Sequence, residues 1–116
     1  MPRMRTATER VLVMGCGGIG GIVAAELTAR GVAPAVVTHN AAIAAAINAD
    51  GFVVHDGDAQ RRVPGRATAV LPNDAGIFDV VLLATQPPQV EAAARAALPH
   101  LRPNGVLVCF QNGFVE

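Results

Sequence analysis

Residues 11–30 have the sequence VLVMGCGGIGGIVAAELTAR, which predicts a buried strand that passes through a glycine turn into a helix. Four apolar residues come first, then Gly15, Gly17 and Gly20 in the spacing G-x-G-x-x-G, and helix-forming residues follow directly. The first glycine permits a tight turn, the second leaves space for a pyrophosphate beside the backbone, and the third lets the helix pack close to the strand. Free amide groups and the positive end of the helix dipole attract anions. We therefore expect a dinucleotide phosphate at this turn.

The candidate phosphate-binding segment is the whole turn, and two other interpretations compete for it. One is a tight strand-to-helix turn without a ligand. The other is a secretory signal, because three arginines precede an uncharged run over residues 11–25. Five glycines within residues 15–21 disfavour a membrane-inserting helix, so we favour the phosphate site. Its predicted members are Gly15, Cys16, Gly17, Gly18, Ile19 and Gly20.

Length and composition restrict the class of protein. With 116 residues the chain is at most one domain: residues 1–9 are expected to be a flexible tail, and residues 10–116 a single three-layer dinucleotide-binding domain. Nine basic residues balance nine acidic ones and only 3% are aromatic, so we expect no nucleic-acid partner. No apolar run is long enough to span a bilayer, so no membrane partner is expected. Cys16 and Cys109 lack metal-site spacing and are expected to be buried thiols, which favours a cytoplasmic location.

The remaining chain predicts alternating strands and helices, the pattern of a Rossmann-like, doubly wound parallel α/β sheet. A hairpin interrupts it, and its Arg61 and Arg62 are expected to be solvated charges rather than an anion site. In the helices we expect Ile22 and Leu98 to point inward. The predicted ranges are strand 35–38, helix 41–50, hairpin strands 52–55 and 60–63, strand 79–84, helix 89–98, turn 102–105 and strand 106–110.

Two strand ends predict the cofactor contacts. NAD-binding folds commonly have a carboxylate after the second strand, but here His39 and Asn40 stand there and the first acid is Asp50. The absence of that carboxylate favours NADP as the cofactor over NAD. We expect His39 to contact the 2′-phosphate as a donor or partial cation, and Asn40 to contact it as a neutral donor. The alternative is that His39 is an ordinary exposed polar residue. Thr85 and Gln86 follow a later strand and are expected to face the cofactor.

Three features together resemble the ketopantoate reductase (2-dehydropantoate 2-reductase) family. The first is the glycine turn. The second is the strand and loop that lead to Gln89, together with the later turn LRPNG at residues 101–105. The third is the triplet Gln111-Asn112-Gly113 after the last strand. The resemblance covers about residues 10–116, which correspond to roughly the first third of a family member. It implies reduction of a 2-keto acid with NADPH, a reaction of pantothenate biosynthesis.

The resemblance also implies roles for single residues. Asn112 would lie beside the nicotinamide and the substrate, His39 stands where the family usually has an arginine, and Gln86 stands where it usually has a lysine. The family's proton donor is a lysine of a helical C-terminal domain, and this chain has no lysine, so we assign it no catalytic residue and expect it to be a fragment that lacks that domain. An exposed apolar surface around Phe110 and Phe114 would then favour a homodimer. The alternatives are a non-catalytic nucleotide-sensing module and a remnant without a ligand.

Overall fold

A computed structural model describes residues 10–15, 18–85 and 87–109. The elements in these residues follow the predicted order, with the hairpin after the second helix. Their bounds are β1 (Val11–Met14), α1 (Gly18–Ala29), β2 (Ala35–Val37), α2 (Ala41–Asp50), β3 (Phe52–Asp56), β4 (Ala59–Val63), β5 (Phe78–Leu83), α3 (Pro87–Ala97), a 3₁₀ turn (Leu98–His100) and β6 (Leu101–Cys109).

Four parallel strands form the main sheet in the order β2-β1-β5-β6, and β3 and β4 form a separate antiparallel hairpin. The chain moves from β1 to one side to make β2 and later to the other side to make β5, so the topological switch lies at β1. Thr68 makes a parallel bridge with Val37 and continues the sheet beyond β2. The Asn48 side chain of α2 holds this segment, because its amide exchanges two hydrogen bonds with the backbone of Ala67. The predicted Rossmann-like fold is confirmed.

The two faces of the sheet have separate apolar cores. Val11 and Val13 point to the face that α1, α2 and the hairpin cover. Leu12 and Met14 point to the other face, which α3 and the segment before β5 cover. This alternation along one fully buried strand explains why β1 is apolar throughout, as strands of a parallel sheet usually are.

Three predictions of buried side chains are wrong. Ile22 is 57% exposed because the inward face of α1 is centred on Ala24 and Ala25, whose small side chains let the helix pack closely. Leu98 is 51% exposed because the α-helix ends at Ala97 and the tighter 3₁₀ turn rotates the next residue away from the core. Cys109 is an exposed free thiol, since β6 is the edge of the described sheet.

The predicted turn at residues 102–105 lies inside β6 instead of before it. Leu101 pairs with Phe78 and Val106 with Val80, so four residues of β6 stand opposite Asp79 alone and form an irregularity. Within this edge strand, the side chains of Val106 and Leu107 are 53% and 37% exposed. The predicted dimer surface at residues 110 and 114 lies outside the described residues, so the homodimer stays a prediction. None of the described helices is both long and apolar enough to cross a membrane.

Candidate dinucleotide site

The glycine turn is fixed where β1 ends. The Gly15 amide donates a 2.6 Å hydrogen bond to the Val37 carbonyl of β2, and the Ala84 amide after β5 donates a 2.8 Å bond to the Met14 carbonyl. Both neighbours of β1 therefore hold the start of the turn. Its position at the carboxyl ends of the parallel strands is the usual place of a ligand in an open α/β sheet.

Two glycines of the turn leave no space for a side chain. Gly15 has a φ of +95°, and a Cβ there would lie 2.9 Å from the Ala84 carbonyl carbon and from Cγ2 of Thr85. A Cβ at Gly20 would overlap the Gly15 carbonyl oxygen. Gly18 and Ile19 begin α1, and only their backbone is described; Cys16 and Gly17 lie outside the described residues. The described glycines thus have the close packing that the dinucleotide interpretation predicts.

A cavity of about 660 Å³ opens from this turn, a volume typical of small-molecule and cofactor sites. It lies between α3 and the segment before β5, on the face of the sheet to which Met14 points. Three predicted site residues line it together: Gly15, His39 and Thr85. The other lining residues are Met14, Val37, Ala69, Val70, Leu71, Asn73, Ala92, Ala93, Arg95, Ala96, Pro99 and His100.

The hydroxyl of Thr85 is the most informative group in the cavity. Its Oγ1 is buried and has no hydrogen-bond partner in the described part of the chain. A buried hydroxyl without a partner costs about 1–3 kcal/mol, and native proteins rarely leave one so. Because the Thr85 side chain also lines the cavity, its hydroxyl is a candidate donor to a polar ligand.

The end of β2 gives its two predicted residues different surroundings. His39 is exposed and lines the cavity. Asn40 caps α2, since its Oδ1 accepts hydrogen bonds from the amides of Ala42 and Ile43 at 3.0 and 3.1 Å. The buried Thr38 supports this turn, because its Oγ1 accepts a 3.3 Å hydrogen bond from the Asn40 amide. Asn40 therefore has a structural role that the sequence analysis did not identify, and its predicted contact with a phosphate is untested.

Sequence reasoning missed the outer wall of the cavity. Arg95 and His100 come from α3 and the 3₁₀ turn, and Asn73 comes from the segment before β5. Arg95 also pairs with Glu91 of the same helix at 2.6 Å. The alanines of α3 give the one available signal, because a helix face of small residues leaves space beside a sheet. Gln86 and Asn112 lie outside the described residues, so their predicted roles remain predictions.

The charged or titratable side chains that line the cavity in the described residues are all basic. They are Arg95, His39 and His100, and none of the described lining residues is an aspartate or glutamate. His100 is held to the wall, because its Nδ1 lies 2.7 Å from the Gly76 carbonyl oxygen. A carbonyl only accepts hydrogen bonds, so Nδ1 carries a proton in this contact. The cavity therefore offers hydrogen-bond donors to an anionic ligand, and the charge of Arg95 on its wall is paired with Glu91.

A comparison with protein families decides the relationship. The family model described as ketopantoate reductase PanE/ApbA matches residues 11–116. The chain belongs to this family. The resemblance on which the sequence analysis relied is thus confirmed for nearly the whole chain. Among curated proteins, no sequence matches it.

Three solved structures have a similar fold. A candidate ketopantoate reductase from Ralstonia solanacearum MolK2 is 30% identical, with a TM-score of 0.78 over 90% of this chain and 32% of its own. The 2-dehydropantoate 2-reductase from Porphyromonas gingivalis W83 is 23% identical, with a TM-score of 0.74 over 90% of this chain and 39% of its own. D-mandelate dehydrogenase with NADH and anilino(oxo)acetate is 16% identical, with a TM-score of 0.78 over 91% of this chain and 34% of its own. The chain thus spans about a third of the length of these structures.

Proposed function

We propose that the chain binds NADP(H) in the cavity beside the glycine turn, and NAD(H) less tightly. The observation that carries the proposal is the buried Thr85 hydroxyl, which has no partner among the described residues and belongs to a side chain that lines the cavity and lies against Gly15 through its Cγ2 methyl. Such a group is explained if the native state includes a polar ligand. Family membership supports a nicotinamide dinucleotide as that ligand.

The preference for NADP rests on the charges of the cavity. A carboxylate after the second strand would bind both ribose hydroxyls of NAD and repel a 2′-phosphate. His39 stands at that position, and none of the described residues that line the cavity is acidic. Since D-mandelate dehydrogenase was solved with NADH, the fold by itself accommodates the cofactor without the 2′-phosphate. The choice between the two therefore depends on the side chains at this end of the cavity.

In the whole protein we propose reduction of a 2-keto acid to a 2-hydroxy acid. The bound nicotinamide would supply the hydride. This chain's residues would hold the dinucleotide: the turn that begins at Gly15 binds the pyrophosphate, and Thr85 donates to a polar atom of the cofactor. Asn112 would contact nicotinamide and substrate. We assign no proton donor to the described residues; by family resemblance a lysine outside this chain would fill that role. The cytoplasmic location stays a prediction.

Thr85→Val separates a ligand-binding hydroxyl from a structural one. Valine has nearly the same shape and removes only the unpartnered hydroxyl, so the stability of the unliganded protein should rise by about 1 kcal/mol or more. The affinity for NADP⁺ should fall about tenfold, because the donor to the ligand is lost. Chemical denaturation and isothermal titration calorimetry measure the two quantities. Lower stability with unchanged affinity would contradict the proposal.

Thr28→Val is the matched control. The Thr28 hydroxyl lies in α1 and already donates a 2.8 Å hydrogen bond to the Ala24 carbonyl. Its removal should change stability by no more than about 0.5 kcal/mol and leave the affinity for NADP⁺ unchanged. Equal losses of affinity in both variants would mean that the effect of Thr85→Val is not local to the cavity.

A further inference from the structure

Part of the cavity is lined by a segment that has no regular secondary structure. Residues 69–73, which we call the lining segment, precede β5 and contribute Ala69, Val70, Leu71 and Asn73. In the described chain, the one hydrogen bond between backbone groups within residues 69–75 is the 3.1 Å bond that Pro72 accepts from Ala75. The Val70 side chain is 73% exposed, and the segment packs on the core through Leu71. Its position therefore depends on how the chain is held at its two ends.

The end of the lining segment that leads into β5 is held by two side chains. The Arg10 guanidinium donates hydrogen bonds of 3.0 and 2.9 Å to the carbonyls of Ala75 and Ile77. The His100 Nδ1 lies 2.7 Å from the carbonyl oxygen of Gly76. Three consecutive carbonyls thus have partners from other parts of the chain, so this end is fixed to the sheet.

The other end of the lining segment is held by Asn48 of α2. The Asn48 Nδ2 donates a 2.9 Å hydrogen bond to the Ala67 carbonyl, and the Ala67 amide donates a 2.8 Å bond to the Asn48 Oδ1. Ala67 is buried, so both of its backbone groups need partners within the protein. On the opposite side, Thr68 exchanges two 2.9 Å hydrogen bonds with Val36 and Thr38 of the sheet. The Asn48 side chain thus takes the place of one more strand beside residues 67–68.

We propose that Asn48 positions the lining segment for the dinucleotide, and so sets the affinity of the cavity without touching the ligand. Asn48 is not among the residues that line the cavity. Without its side chain, the buried amide and carbonyl of Ala67 lose their partners, and states in which residues 67–73 move away from the sheet become more populated. The inference rests on the proposed function, because it takes the dinucleotide as the occupant of the cavity.

Asn48→Ala tests the inference through the Kd for NADP⁺. If the lining segment is in place for about a tenth of the time, the apparent Kd rises about tenfold. Isothermal titration calorimetry under conditions in which every variant is folded measures this change. A wild-type Kd in folded Asn48→Ala would overturn the inference and leave the proposed function intact. If the wild-type chain does not bind NADP⁺, the proposed function fails, and the inference fails with it.

Val32→Ala is the control for a general loss of stability. Val32 is buried in the core on the other face of the sheet and does not line the cavity. Its truncation should lower the denaturation midpoint, as a cavity in a core does, and leave the Kd for NADP⁺ unchanged. An equal rise of the Kd in Val32→Ala and Asn48→Ala would mean that lost stability explains the effect, and would overturn the inference.

Asn48→Asp is a milder variant that keeps half of the contact. Its carboxylate still accepts from the Ala67 amide but cannot donate to the Ala67 carbonyl, so the Kd should rise in the same direction. Ala49→Asp adds the same charge at the next, exposed position of α2 and should leave the Kd unchanged. Equal Kd values in these two variants would overturn the inference even if Asn48→Ala does not fold.

Amide hydrogen exchange of the unliganded protein gives a second readout. The amides of Thr68 and Gly15 both donate to β2, to the carbonyls of Val36 and Val37 respectively. In Asn48→Ala, exchange at Thr68 should become about tenfold faster while exchange at Gly15 keeps its rate, because only the lining segment and its anchor open. Equal acceleration at both amides would indicate opening of the whole sheet and would overturn the inference.

Discussion

The two ends of the parallel sheet are built differently. At the amino ends, the Asp79 carboxylate accepts a 2.7 Å hydrogen bond from the Arg10 amide and pairs with Arg102 at 2.9 Å. The Arg10 guanidinium lies 4.4 Å from the centre of the Phe78 ring and donates to two carbonyls before β5, those of Ala75 and Ile77. At the carboxyl ends, a cavity opens beside Gly15, and the Thr85 hydroxyl has no partner in the described chain.

The difference separates stability from binding within one sheet. Groups that are already hydrogen-bonded at the amino ends add to stability and have little left to offer a ligand. At the carboxyl ends, a few polar groups line a mainly apolar cavity that has space for a ligand, as binding sites usually do. Substitutions at the amino ends should therefore change stability without affinity, and those at the carboxyl ends should affect binding.

The largest expected effect is that of Gly20→Ala. The new Cβ would overlap the Gly15 carbonyl oxygen and push α1 away from the turn. We expect a loss of about 3 kcal/mol of unfolding free energy, the upper end for overpacking, and no measurable binding of NADP⁺. Denaturation and calorimetry test both parts. Gly57→Asn, at an open hairpin position with φ of +64°, should keep both stability and binding. Wild-type binding by Gly20→Ala would contradict the assigned role of the turn.

Asp79→Ala should remove contacts only at the amino ends of the strands. The Asp79 side chain is 17% exposed and has both Arg10 and Arg102 as partners. Its removal should cost about 2 kcal/mol of unfolding free energy and leave the Kd for NADP⁺ unchanged under native conditions. Asp74→Ala, a substitution in an exposed turn before β5, is the control and should change stability by no more than about 0.5 kcal/mol. A large change in the Kd with Asp79→Ala would mean that the two ends are coupled.

Asn40→Asp should have the smallest effect on stability of the three substitutions. Residue 40 directly follows His39, which lines the cavity. Aspartate caps a helix as well as asparagine does, so unfolding free energy should change by less than about 0.5 kcal/mol. The new carboxylate would stand next to His39 and should shift the preference from NADP⁺ toward NAD⁺ about tenfold. Asn40→Ser keeps the cap without the charge and should keep the preference. Calorimetry with both dinucleotides measures the shift; equal behaviour of Asp and Ser would contradict the placement of the ribose.

Local sequence determined most of the fold. The glycine spacing after an apolar run predicted β1 and α1, and the predicted helix over residues 41–50 has the same bounds as α2 in the structure. The edge thiol Cys109 was predicted to be buried because the sequence does not show which strand lies at an edge. The predictions that Ile22 and Leu98 point inward were wrong for a related reason, because the exposure of a helix residue depends on how closely the helix packs and where it ends.

Three of the fifteen residues that line the cavity were predicted from sequence. Gly15, His39 and Thr85 follow three strands whose carboxyl ends meet at the switch point, so topology places them together. Arg95 and His100 line the opposite wall because α3 crosses the sheet face, and this placement depends on contacts between residues far apart in sequence. The network of Arg10 was missed for the same reason, because its partners lie more than sixty residues away.

The most direct test is amide NMR of the ¹⁵N-labelled chain during titration with NADP⁺. The account predicts that the largest shift changes lie at the carboxyl ends, in the amides of Gly15, Gly20, His39 and Thr85, while those of Asp79 and other residues at the amino ends barely move. Saturable changes centred on the amino ends, or no changes at all, would contradict the central claim that the glycine-turn cavity binds the dinucleotide.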